Sequence, residues 1–239
     1  MKKKIKVVVA DDSALMRRVI SETLNSDPDI EVVAVARNGN EAIKLVHDYN
    51  PDVVTLDIIM PELDGINALG YIMSEIPTPC VMVSAYATEE NKKALQALEY
   101  GAVDLVKKPS GEISLNMEAV SSEIIEKVKT ASLVKVKKLK MIFAEESKSK
   151  SKERPKSKTA LSKIIAIASS TGGTRALSVL LPKIRQDFDG AILVVQHMPE
   201  GFTNALAERL NWQSEIEVVE AEDGMEIKSG MAIIAKAGY

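Results

Sequence analysis

Five polar residues stand where strand-length apolar runs end: Asp11 and Asp12 after residues 5–10, Asp57 after 53–56, Ser84 after 80–83, and Lys108 after 103–106. In an open parallel sheet, ligands bind outside the carboxyl ends of the strands, so these residues belong to one reading. Asp11, Asp12 and Asp57 would repel one another unless a hard cation lay among them, and an all-oxygen set with room for water suits Mg2+. A carboxylate beside such an ion is a nucleophile for phosphoryl transfer, which gives Asp57 that role. Ser84 would donate a hydrogen bond to a phosphoryl oxygen, and Lys108 would place positive charge opposite the metal. Taken singly, an Asp after a strand is a common N-cap or turn former, and a Lys before Pro a common loop residue. All five together, at the ends of four runs, are poorly explained that way.

A second group lies further along. Ser169-Ser170-Thr171-Gly172-Gly173 follows an apolar run and precedes a helical pattern, and its glycines allow a tight turn with exposed backbone N–H groups at a helix start. Such a turn suits a serine nucleophile beside an oxyanion site, and equally a bound phosphate. His197 ends the next apolar run, so neighbouring strands would bring a serine and a histidine to one sheet edge. The other histidine, His47, closes a predicted helix ahead of Asn50-Pro51 and reads as a solvated C-terminal residue.

The elements that must hold these residues follow from periodicity. The runs at 5–10, 30–36, 53–56, 80–83 and 103–106 are nearly continuous, as in strands buried on both faces. Helical periods separate them: Met16, Val19, Ile20 and Leu24 after the N-cap type Ser13, and Ala42, Ile43 and Val46 after Asn40. Five βα repeats predict an α/β fold with a doubly wound parallel sheet, closed by a helix through Met117, Val120, Ile124 and Val128. Residues 145–159 carry almost no apolar side chain and read as a flexible linker, although alternating Lys and Ser would also suit an anion-binding or membrane-surface tail. Strand signals return at 164–168, 191–196, 216–219 and 231–235, with helices from Thr174 and over 203–212, which predicts a second α/β unit that stops at Tyr239 without a closing helix.

Composition narrows the classes. Lys+Arg 31 against Asp+Glu 34 leaves a net charge of -3, and aromatics are 4%, so neither a phosphate-binding field nor a base-stacking surface is suggested and no nucleic acid is expected. Cys80, the single cysteine, lies in an apolar run and reads as a small buried hydrophobe. No stretch has the length of a membrane span, so no membrane insertion is expected and a cytoplasmic location is.

VVVADDS at 7–13, VVTLDIIMPELDG at 53–65, VMVSA at 81–85 and GAVDLVKKPS at 101–110 resemble the response-regulator receiver family over residues 1–125. That resemblance implies a flavodoxin-like five-stranded parallel fold, with Asp57 as phosphoacceptor. It also implies that Asp12 and Asp57 ligate Mg2+, that Asp11 acts mainly through water, and that the carbonyl of Ile59 completes the protein ligands. The family often has an aromatic switch residue three positions before the lysine, where this chain has Leu105.

IAIASSTGGTRAL at 165–177, VVQHMPEGF at 194–202 and AEDGMEIKSGMAIIAKAGY at 221–239, behind a receiver, resemble the chemotaxis protein-glutamate methylesterases. The resemblance implies residues 126–160 as helical extension and linker, and 161–239 as the N-terminal part of a Rossmann-like doubly wound esterase domain that needs no cofactor. Aligning the Ser-Thr-Gly-Gly motif selects Ser170 rather than Ser169 as nucleophile, with His197 as general base. The orienting carboxylate lies later in the family's domain than Tyr239, so no residue is carried over for it and little esterase activity is expected of the 239-residue chain. The implied partners are a chemotaxis histidine kinase as phosphodonor and methyl-accepting chemotaxis receptors as substrate, hydrolysed at glutamate methyl esters and deamidated at glutamines. A catalytically silent receiver-type signalling protein is the alternative. A transcriptional regulator would need a helix-turn-helix after the linker, where α/β alternation stands instead.

Overall fold

A computed structural model describes residues 3–84, 88–108, 117–136 and 161–239, without the side chains of 88–92 and 117–120. The chain divides into two compact units, Met1–Met141 and Ile142–Tyr239. The linker expected at 145–159 lies outside the described residues.

In the first unit the apolar runs form β1 (Ile5–Ala10), β2 (Ile30–Ala36), β3 (Val53–Asp57), β4 (Cys80–Ser84) and β5 (Asp104–Lys107). They pair in parallel in the order β2-β1-β3-β4-β5, the flavodoxin-like doubly wound arrangement. β3 and β4 are buried along their whole length, as central strands covered on both faces must be. Helices α1 (Ala14–Asn25) and α5 (Met117–Ser132) share one face, where Ile20, Leu24, Ile124 and Val128 pack with Val7, Val9, Val53, Val81 and Val83. Each such fully buried aliphatic side chain contributes about 1.5–3 kcal/mol relative to exposure. Helices α2 (Gly39–Tyr49), α3 (Gly65–Glu75) and α4 (Thr88–Glu99) pack in sequence on β1, β3 and β4.

Three details differ from the sequence reading. α2 is capped by Asn38, not Asn40: Asn38 is extended, its side chain accepts the Glu41 N–H at 2.8 Å, and Asn40 already lies inside the helix. β5 begins at Asp104 rather than Val103. α5 continues past residue 125 to Ser132, and burial of Val128 and Ala131 places that stretch in the core of the first unit. Ser13 caps α1 as expected, and Cys80 is fully buried, which pushes its thiol up to about 12. His47 lies in the last turn of α2, half exposed, 3.5 Å from Glu75.

The second unit contains β6 (Ile164–Ser169), α6 (Gly173–Leu180), β7 (Ala191–Gln196), α7 (Phe202–Gln213), β8 (Glu217–Glu220) and β9 (Met231–Ile234). Its strands are parallel in the order β6-β7-β9-β8. Phe202, Leu206 and Leu210 of α7 are buried, as are Ile192 and Val194 of β7 and all of β9. The buried Thr203 hydroxyl donates to Glu220 Oε1 at 2.5 Å and accepts the Ala237 N–H at 3.3 Å. β6 is exposed or half-buried along its whole length. It stands at an edge of the sheet, and Ile164 and Ile165 are 52% and 42% exposed. Among the described residues no helix is long and apolar enough to cross a membrane.

Candidate functional site

The first unit gathers all five sequence-predicted polar residues at one sheet edge. Asp57 is the last residue of β3 and Ser84 the last of β4, and both are buried; Asp11 follows β1, fully buried, and Lys108 follows β5. One carboxylate oxygen each from Asp11, Asp12 and Asp57 lie within 4.8 Å of one another. The Lys108 ammonium reaches Asp57 Oδ2 at 2.6 Å and Asp11 Oδ2 at 3.0 Å.

The electrostatics follow from that crowding. Burial raises the Asp57 carboxyl from the ordinary 3.8 to about 6, with the Asp11 charge adding to the rise and Lys108 and the Ile59 N–H opposing it. Lys108 is held above the usual lysine range by its two carboxylates, against a burial effect that works the other way. Asp11 Oδ1 accepts the Ser13 N–H at 2.9 Å, whereas the buried Oδ2 has no aligned hydrogen bond and meets only the Lys108 charge. A buried, under-satisfied carboxylate oxygen between two further carboxylates fits a hard divalent cation.

Sequence reading passed over Arg17. Its Nη1 donates to the carbonyl oxygens of Asp11 at 2.8 Å and Asp12 at 2.9 Å, which fixes the loop that presents both carboxylates. A signal was present, because a cation near the N-terminus of α1 opposes the helix dipole and so calls for another partner.

In the second unit, β6 and β7 pair as far as Ser169 opposite Gln196. The next residue on each strand is Ser170 and His197, both exposed, and Ser170 Oγ lies 3.2 Å from His197 Nδ1. Ser169 is committed elsewhere: its hydroxyl donates to Gln196 Oε1 at 2.7 Å, and its carbonyl accepts the His197 N–H at 2.8 Å. The turn bends at Gly172, whose φ of +76° strains any residue with a Cβ. One expectation changes. The Gly173 N–H is spent on the Ser170 carbonyl at 2.7 Å, so that amide, predicted to be exposed at the helix start, is not open to an oxyanion. Among the described residues no carboxylate is hydrogen-bonded to His197. Gln196, passed over in the sequence, is buried between the two turns and bonded to both.

Comparison with known proteins agrees with this division. A family model described as the response regulator receiver domain matches residues 7–119, and one described as CheB methylesterase matches 165–239. A protein-glutamate methylesterase/protein-glutamine glutaminase of Halalkalibacterium halodurans is 48% identical over 239 residues, covering 100% of this chain and 68% of the relative. One of the same name from Pyrococcus horikoshii is 43% identical over 244 residues, at 100% and 65% coverage. The chain therefore spans about two thirds of the length of these relatives. The crystal structure of the response regulator domain of Thermotoga maritima CheB superposes with a TM-score of 0.51 at 44% identity, covering 56% of this chain and 99% of that one.

Proposed function

The chain belongs to the protein-glutamate methylesterase/protein-glutamine glutaminase family, and from that premise we propose that its second unit hydrolyses glutamate methyl esters, and deamidates glutamines, on methyl-accepting chemotaxis receptors under the control of phosphorylation at Asp57. The observation that carries the reading is the Ser170 Oγ to His197 Nδ1 approach of 3.2 Å across two adjacent strand ends, on an exposed edge that a protein substrate can reach.

The chemistry uses these two side chains in turn. His197 Nδ1 accepts the Ser170 proton as Oγ attacks the ester carbonyl; the tetrahedral intermediate collapses, and the departing methoxide takes that proton from the imidazole to leave as methanol. Water then attacks the acyl-serine, again deprotonated by His197, and the glutamate carboxylate leaves as Ser170 regains its proton. For a glutamine the leaving group is ammonia and the remaining steps are the same. With Nδ1 facing Ser170, the orienting carboxylate of a complete triad belongs on Nε2.

In the receiver unit, Asp12, Asp57 and the Ile59 carbonyl would hold Mg2+, with Asp11 acting through water. The ion would supply charge neutralisation between nucleophile and phosphoryl group. Asp57 Oδ attacks the phosphorus of a phosphohistidine on a chemotaxis kinase, the P–N bond breaks and the kinase imidazole leaves with a proton, while Ser84 and Lys108 bind the transferred oxygens. A cytoplasmic location follows from these partners.

The test is methanol release from methylated receptor fragments, together with covalent labelling of Ser170 by a fluorophosphonate. Release and labelling that both vanish in Ser170→Ala support the esterase; Ser170-independent release overturns it.

A further inference from the structure

We propose that Gln196 is a positioning residue that staples the serine turn to the histidine turn and thereby sets the Ser170–His197 approach. The inference rests on the esterase reading of those two residues. Ladder pairing of β6 and β7 ends at Ser169 opposite Gln196, one residue short of the reacting pair. Beyond that point one backbone bond, from the His197 N–H to the Ser169 carbonyl at 2.8 Å, still joins the two segments, and it leaves Ser170 itself unfixed.

Gln196 fixes that residue with one side-chain amide. Nε2 donates to the Ser170 carbonyl and to the His197 carbonyl, each at 2.9 Å, while Oε1 accepts the Ser169 hydroxyl at 2.7 Å. Three of the four hydrogen bonds available to a glutamine amide are thus used on the two turns. The residue is 6% exposed, so water is a poor substitute for any of them. Space has been kept for this head group: a Cβ on Gly173 would fall 2.1 Å from Gln196 Oε1 and 2.8 Å from Ser169 Oγ. Glutamine is also the right chemistry. A glutamate would set a carboxylate against two carbonyl oxygens, and a leucine would remove the His197 carbonyl's donor and leave the Ser170 carbonyl with the Gly173 N–H alone.

The 239-residue chain itself carries the test, through two readouts. The first is the second-order rate at which a fluorophosphonate labels Ser170, followed by intact mass with Ser170→Ala as the blank. The second is hydrogen exchange of the Gln196 side-chain NH2 by NMR. A protected amide is expected, exchanging at least about tenfold slower than a free glutamine. Gln196→Leu and Gln196→Glu should label about 10- to 100-fold more slowly, the cost of misplacing reacting groups by about 1 Å. Ser169→Ala removes one bond of the three and should stay within about threefold of the parent. Thermal midpoints are recorded for each variant, since a merely structural role would make the rates follow stability. Should Gln196→Leu fail to fold, Gln196→Glu and the amide exchange decide. Parent-like labelling of a folded Gln196 variant, or a freely exchanging amide beside a labelled Ser170, overturns the staple alone. An unlabelled parent Ser170 shows that Ser170 and His197 are not a reactive pair in this chain, and the positioning role falls with it.

Discussion

The Lys108 ammonium, one residue past β5, lies 2.6 Å from Oδ2 of Asp57 at the end of β3, reaching across the end of the intervening β4. Asp57 is thereby aimed into the same pocket as Asp11 and Asp12, and the same ammonium also lies 3.0 Å from Asp11 Oδ2. Incubation with a small-molecule phosphodonor and Mg2+ should label the protein at Asp57 only. Asp57→Asn should abolish the label, read by intact mass, and a label that persists or survives acid as a phosphomonoester would refute the assignment.

Burial of Asp57 sets a pH dependence that this contact moderates. The folded-state value of Asp57, about 6, is above its ordinary 3.8, so the folded protein keeps a proton that the unfolded chain releases. That stabilisation is fully present below the ordinary value and is lost as pH rises through about 6. Asp57→Asn cannot ionise and should therefore gain stability over the parent at neutral pH, by at most about 3 kcal/mol, and lose that advantage near pH 4. Function runs the opposite way: Mg2+ binding and phosphoryl uptake should fall as pH drops below about 6, when Asp57 becomes protonated. Lys108→Met removes two influences that lower the Asp57 value, so the midpoint of uptake should move to higher pH. Calorimetric Mg2+ titrations and labelling rates between about pH 5 and 8 check both directions.

Arg17 should matter to the metal site without touching it. Arg17→Ala removes both bonds from Nη1 to the Asp11 and Asp12 carbonyls, while the Ser13 cap on α1 remains. The expected cost is about 1–2 kcal/mol of stability and about tenfold in Mg2+ affinity, the range for groups that orient ligands from behind. Arg17→Lys, which carries the charge but lacks the fork, should recover part of the loss. Unchanged Mg2+ binding in Arg17→Ala would sink the claim.

What could be read in advance divides along physical lines. Asp11, Asp57, Ser84 and Lys108 were legible because each ends an apolar run, and the topology of a doubly wound sheet sends all such ends to one edge. Ser170 and His197 follow by the same rule, one residue past paired strand ends. Arg17 was signalled only by its charge near the N-terminus of α1 and Gln196 not at all: their roles come from hydrogen bonds to carbonyl oxygens, and nothing in a residue's type says where a neighbouring loop will turn its backbone. The cap of α2 was misplaced for a related reason. Asn38 and Asn40 are both good caps, and only the extended conformation of Asn38 decides between them.

The last prediction concerns which of two adjacent serines is the nucleophile. Ser169 ends β6 in register with Gln196, and its hydroxyl is held 2.7 Å from that residue's Oε1. Ser170, one residue on, is past the sheet and presents Oγ to His197 Nδ1. A hydroxyl that already donates to an amide oxygen cannot at the same time give its proton to His197, so only Ser170 is arranged for attack. In a version extended to the full family length, Ser170→Ala should therefore reduce fluorophosphonate labelling and methanol release to background, whereas Ser169→Ala should keep most of both. His197→Gln should slow labelling by about 10²-fold or more while leaving Ser170 in place, because it removes the proton acceptor and not the nucleophile. Equal losses in the two serine variants, or loss in Ser169→Ala alone, would move the nucleophile back by one residue and with it the reading of the whole turn.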